Sequence, residues 1–368
     1  MENGCVIIFN FIMEESNMSD GKYVAYVGSY THGKAKGITI CDVDLENGVF
    51  VPRKEVAVGN PSYLRIANNG QFLYSVSDLG ISSFKIQDDG DLEFVNLGSI
   101  NGMRACHISV DKADKFIYTA GYHDGKASVV RINDDGSVGE LTDEVFHKGM
   151  GSIAERNFRP HITCTRLTPD AKYLVACDVG IDQVKIYSFD HETGAIKLVD
   201  ILRCELNSAP RSMLFSPDGK YAYLICQLMN CVNVYKYSSE SGHPEFEQIQ
   251  QISTLGKKYN DKSAVAALRF TSDASNLFVS NAGDNSVAFF KRDPETGLLE
   301  KRSVLPISGD YPKQICVFPD DKHLACMNHE SNTITFFDID YEKGLLVMHG
   351  APMKVETPNV AVIAKVKK

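Results

Sequence analysis

One phrase recurs six times along the 368-residue chain, and it restricts the fold more than any other feature. It is an apolar strand, a turn containing Asp or Asn, and a second apolar strand that opens on an aromatic residue or Leu. It runs from Tyr63 to Val76, His107 to Ala120, Thr165 to Cys177, Met213 to Cys226, Leu268 to Asn281 and Gln314 to Asn328. The turn anchors Asn69, Ala113, Asp170, Asp218, Asp273 and Asp320 lie 44 to 57 residues apart. A third alternating segment follows each phrase, as in Val232–Tyr237 or Thr333–Asp338, and then a turn at Gly90, Gly136, Gly194, Gly297 or Gly344 before a fourth short strand. Period-two alternation between Asp and Gly turns is a strand signal, and no long 3.6-residue pattern competes with it.

Four antiparallel strands at this period predict an all-β fold, a β-propeller. Six blades are complete and a seventh is split. Residues 23–58 supply the later strands of a blade without its opening strand, and Pro358–Val366 supplies an isolated strand of the type that begins at Pro61. Joining them closes a seven-bladed ring and removes the open sheet edges that invite aggregation. Residues 22–368 are therefore expected to form one domain. Residues 1–21 are expected to be a disordered extension: the apolar run Cys5–Met13 has no preceding Lys or Arg, is followed by Glu14 and Glu15, and is too short to span a bilayer.

In such a ring the first strand of every blade lines the axis, and its opening residues converge on one mouth. Counting back nine and seven residues from each anchor selects Asn60 and Ser62, Arg104 and Cys106, His161 and Thr163, Ala209 and Arg211, Ala264 and Ala266, and Tyr311 and Lys313. Four of these six pairs contain a cationic or titratable group, and Arg156 and Arg159 stand just upstream of His161. Against 47 acidic and 38 basic residues, a net charge of −9, this local clustering points to a small anionic ligand. The same acidity excludes a broad basic surface for nucleic acid.

The ten cysteines form no C-x-x-C pair and sit mostly in apolar runs, the pattern of buried thiols in a reducing cytosol. His323, His329 and Glu330 lack metal-ligand spacing, so neither a metal nor a cofactor is expected. Phosphate-loop, dinucleotide-binding and G-x-S-x-G motifs are missing.

Several phrases carry a resemblance: Tyr26–Thr31, Arg156–His161, Asp178–Tyr187, Ala209–Arg211 followed by Phe215–Tyr223, and Asn281–Phe290. Together they resemble the seven-bladed lactonase family, which includes propeller-type 6-phosphogluconolactonases and carboxymuconate cyclases, over residues 22–366. The resemblance implies hydrolysis of a phosphosugar lactone, as in the second step of the pentose phosphate route. It also implies His161 as general base and Arg211 as oxyanion or phosphate contact; Arg104, Arg156, Arg159, Gln227 and Lys313 are the candidates for binding substrate. Thr163, Ser212, Gln227, Ala267 and Ala282 depart from the family pattern, where His, His, Glu, Glu and Arg are common. Those departures leave two further expectations open: a propeller that binds without catalysis, or an enzyme for carboxymuconate-like dicarboxylates.

Overall fold

The computed structural model describes residues 21–152 and 158–367. Among them are twenty-eight strands and no helix, arranged as seven four-stranded antiparallel sheets. Blades 1 to 6 follow one another along the chain. Blade 4 is representative: its inner strand Pro210–Phe215 pairs with Tyr221–Cys226, then Cys231–Ser238, then the outer strand Glu245–Ser253. Blade 7 is the split one. Its inner strand Pro358–Val366 pairs with Lys22–Ser29, in a register running from Lys22 opposite Val366 to Ser29 opposite Pro358. The seven inner strands neighbour one another in a closed cycle, so the ring is complete. Of the expected extension, all but Gly21 lies outside the described residues, as do Arg156 and Asn157.

The burial pattern follows from this stacking. In blade 4 the second strand is buried at all six positions, because both its faces meet neighbouring blades, while the outer strand is exposed or half-buried throughout. The chain has no Trp to fill the gaps between blades, and Tyr does part of that work. The hydroxyls of Tyr26, Tyr74 and Tyr223, on second strands, donate to the carbonyls of Gly90, Gly136 and Gly297 in the next blade, at 2.9, 3.1 and 2.7 Å. This is why the Gly turns recur. At Gly136 φ is +77°, and a Cβ would collide with the Phe72 ring.

One irregularity positions the site. In blades 3, 4, 5 and 6 the inner strand slips register between Ile162 and Cys164, Pro210 and Ser212, Val265 and Ala267, and Pro312 and Gln314. Each slip leaves one unpaired residue, namely Thr163, Arg211, Ala266 and Lys313, and in blade 7 the inner strand slips likewise between Pro358 and Val360 and leaves Asn359 unpaired. A bulge of this kind re-aims a side chain and flips the alternation beyond it.

Candidate active site

The five bulge residues and their counterparts Ser62 and Cys106 all line one cavity of about 450 Å³ at the channel mouth. Every blade thus contributes one side chain from the equivalent place. Tyr30, Arg104, Tyr122, His123, Gln227 and Arg269 complete much of the wall, and among the described residues no Asp or Glu lines it. Four cationic side chains, Arg104, Arg211, Arg269 and Lys313, therefore share a wall to which no described carboxylate contributes.

Tyr30 sits under two of them. The Arg104 guanidinium lies 5.1 Å and the Lys313 ammonium 4.5 Å from its ring centroid, and Lys313 Nζ donates to its hydroxyl at 3.4 Å. An aromatic face held between two cations offsets part of their repulsion. Arg104 also donates to Asp78 at 3.0 Å. Arg211 is fixed twice, through Nε to the Ala266 carbonyl at 2.8 Å and through Nη1 to Gln227 Oε1 at 2.6 Å. Its own carbonyl accepts from Thr163 Oγ1 at 2.7 Å. Because Gln227 is neutral, Arg211 is oriented without its charge being cancelled, as a Glu at that position would do.

Burial, then the Arg211 and Arg104 charges, pull the Lys313 ammonium down to about 8, against an opposing pull from Cys106. Burial and Lys313 likewise push His329 down to about 4, so it stays neutral beside Tyr30. The Cys106 thiol is pushed up to about 11 by burial, which makes it a poor nucleophile.

The structure brings Arg104, Arg211, Gln227 and Lys313 together and separates others from them. His161 does not line the cavity. It is 4% exposed, stacked behind Tyr122 with ring centroids 4.3 Å apart, and its Nδ1 donates to the Tyr122 carbonyl at 2.6 Å. It stands before the strand and its bulge, so the bulge aims Thr163 inward and leaves His161 beneath the rim. Arg159 is exposed next to Phe158, away from the wall. Asp178 and Asp182 hold loops. Asp178 accepts from the amides of His161 and Gly180 and pairs with His147 at 2.7 Å, and Asp182 accepts from the amides of Asn207 and Ala209. Of the departures from the family pattern, Ala267 lines the cavity and Ala282 does not. Tyr30, Asn359 and Arg269 were missed. Asn359 was legible from its likeness to the other Pro-X strand openings, at Pro61, Pro210 and Pro312.

A family model described as "Lactonase, 7-bladed beta-propeller" matches residues 24–363. The 6-phosphogluconolactonase of Bacillus subtilis is 32% identical over 343 residues, covering 92% of this chain and 97% of its own. A crystal structure of a candidate 6-phosphogluconolactonase from Bacteroides fragilis superposes with a TM-score of 0.85 at 29% identity, covering 94% and 99% of the two chains. The periplasmic gluconolactonase of Pseudomonas aeruginosa has a TM-score of 0.87 over 93% and 99% at 24% identity, a likeness of fold. A ring of seven four-stranded blades closed by its own C-terminal strand, matched along nearly its whole length, places this chain in the seven-bladed β-propeller lactonase family, hydrolases of lactone esters.

Proposed function

We propose that the substrate is an anionic sugar lactone, 6-phosphogluconolactone being the best fit, and that the mouth cavity is where it is hydrolysed. The observation that carries this reading is a cavity lined, among the described residues, by four cationic side chains and no carboxylate, in a chain whose net charge is −9. The full-length similarity to the Bacillus enzyme supports the same substrate class. The ring opens when water adds to the lactone carbonyl and the ring oxygen leaves with a proton. Arg211, pinned by Gln227 and Ala266, stabilises the oxyanion that forms, a role worth about 10²–10³-fold in rate. The base is Lys313. It lines the cavity, and a lysine brought down to about 8 is matched to accepting a proton near neutrality. Arg104 meets the remaining negative charge, and His161 supports the wall by holding the Tyr122 segment.

In place of a dicarboxylate we favour the sugar lactone because three of the seven side chains in the ring are neutral hydrogen-bonding groups: Ser62, Thr163 and Asn359 can meet hydroxyls. Cysteines without C-x-x-C spacing, most of them in apolar runs, support a reducing compartment such as the cytosol and hence a place in sugar-phosphate metabolism. No helix among the described residues is long and apolar enough to cross a membrane. The test is hydrolysis of fresh 6-phosphogluconolactone and of unphosphorylated gluconolactone, each above its spontaneous rate. Higher kcat/KM for the phosphorylated lactone, lost in Arg211→Ala, is expected; equal or better use of the neutral lactone overturns the assignment.

A further inference from the structure

Below the mouth, the inner strands carry a second set of cations. Four residues before the turn anchors stand Arg65 in blade 1, Arg166 in blade 3 and Arg269 in blade 5, with Ser109, Leu214 and Cys316 at the same place in the blades between and beyond. Three arginines at one register position, on alternating blades around one axis, are brought to a common level of the channel. All three are half-buried.

Their partners are neutral. Arg166 Nε donates to the Met213 carbonyl at 3.0 Å, Arg269 Nη1 to the Leu268 carbonyl at 2.8 Å, and Arg65 Nη2 to Asn68 Oδ1 at 3.4 Å. Arg65 Nε is buried with no partner. None of the three makes an ion pair among the described residues, although most other arginines of the ring do or are capped by hydroxyls. Burial and then Arg166 hold Arg65 below the ordinary arginine range, with Arg269 adding to the effect. Asp114 acts on it in the opposite sense but most weakly, and the oxygens of Asp114 accept from the amides of Asn68 and Asn69. Like charges in a partly desolvated channel repel one another strongly, so the fold carries an unbalanced positive charge here.

We propose that this channel floor is a binding site for a phosphate-type oxyanion, held by Arg65, Arg166 and Arg269. Arginines carried at one register position on three alternating blades suit a compact tetrahedral dianion, which offers several acceptor oxygens and accepts forked donors. Arg269 also lines the mouth cavity, so the two sites share one wall. The oxyanion has two sources, free phosphate or the phosphate of a substrate that reaches down from the mouth.

The test needs no turnover and so stands or falls apart from the proposed reaction. Inorganic phosphate, against sodium chloride at matched ionic strength, should raise the melting temperature by about 2–4 °C at tenfold excess over its dissociation constant. That rise should vanish in Arg65→Gln and in Arg166→Gln and persist in Arg65→Lys. Phosphorus NMR of inorganic phosphate with the wild-type protein, showing line broadening reversed by sulfate, reads the same site without a variant. A larger KM for the phosphorylated than for the neutral lactone in Arg166→Gln assigns the floor to the substrate's phosphate; equal KM changes assign it to free phosphate. A phosphate effect no larger than that of chloride, or one that survives in both Gln variants, overturns the proposal.

Discussion

At the mouth of the channel Arg104 rests on Asp78, Arg211 on Gln227 and Lys313 on the Tyr30 ring, whereas at the floor Arg65, Arg166 and Arg269 reach only carbonyls and one side-chain amide. The two levels have the same sign of charge and a different degree of fixation. Fixed donors stabilise a developing charge without reorganising, which is what a reaction needs. Charges bonded only to neutral acceptors instead store repulsion that a mobile counter-ion relieves. The difference teaches that two clusters of one charge sign can be built for different work: on the proposed function, the oriented donors of the mouth serve the reaction and the floor serves binding.

The comparison breaks most visibly at Arg211. Arg211→Ala should lower kcat/KM about 10²–10³-fold in steady-state hydrolysis, with the fold retained by circular dichroism. Lys313→Met should cost about 10²-fold and abolish the rise of rate with pH through the region near 8, because the neutral amine is the active form. The same variant should be more stable than the wild type. Folding lowers the affinity of Lys313 for its proton, so the unfolded chain binds more protons between about 8 and the ordinary lysine value, and the wild type gains stability as pH rises through that window. Below it the buried charge is a full penalty that Met removes. A fall in melting temperature at neutral pH would contradict this account of Lys313.

The smallest effect belongs to the floor. In dilute, phosphate-free buffer Arg65→Gln should raise the melting temperature by about 2 °C, since removing one of three repelling charges relieves the others. If the variant melts lower instead, Arg65 is a structural residue and the contrast between the two levels collapses.

Much of the fold was readable before any coordinates. The anchors from Asn69 to Asp320 spaced the blades, and the surplus strand Pro358–Val366 matched the strand missing ahead of Lys22–Ser29. At the site, counting seven back from each anchor found the cavity-lining set, Ser62, Cys106, Thr163, Arg211, Ala266 and Lys313. Counting nine back was less reliable. Arg104 and Tyr311 reach the wall, but Asn60, His161, Ala209 and Ala264 do not, and Asn60, Ala209 and Tyr311 have positive φ in the loop before the strand, where alternation does not hold. The expected base, His161, falls in that loop segment.

The sequence by itself determined how many blades there are, where the ring closes and which strand openings meet, because period and alternation are local properties repeated along the chain. Only the tertiary structure decided which side chains face the axis further in. A bulge adds no residue that the sequence marks, yet it reverses the alternation. In blades 3 and 5, Thr165 and Leu268 are therefore buried, whereas Arg166 and Arg269, one residue further on, are half-buried at the channel floor. Tyr30 was hidden for a related reason. It belongs to blade 7 in the ring but comes from the start of the chain, and its contacts with Arg104 and Lys313 exist only once the two chain ends pair.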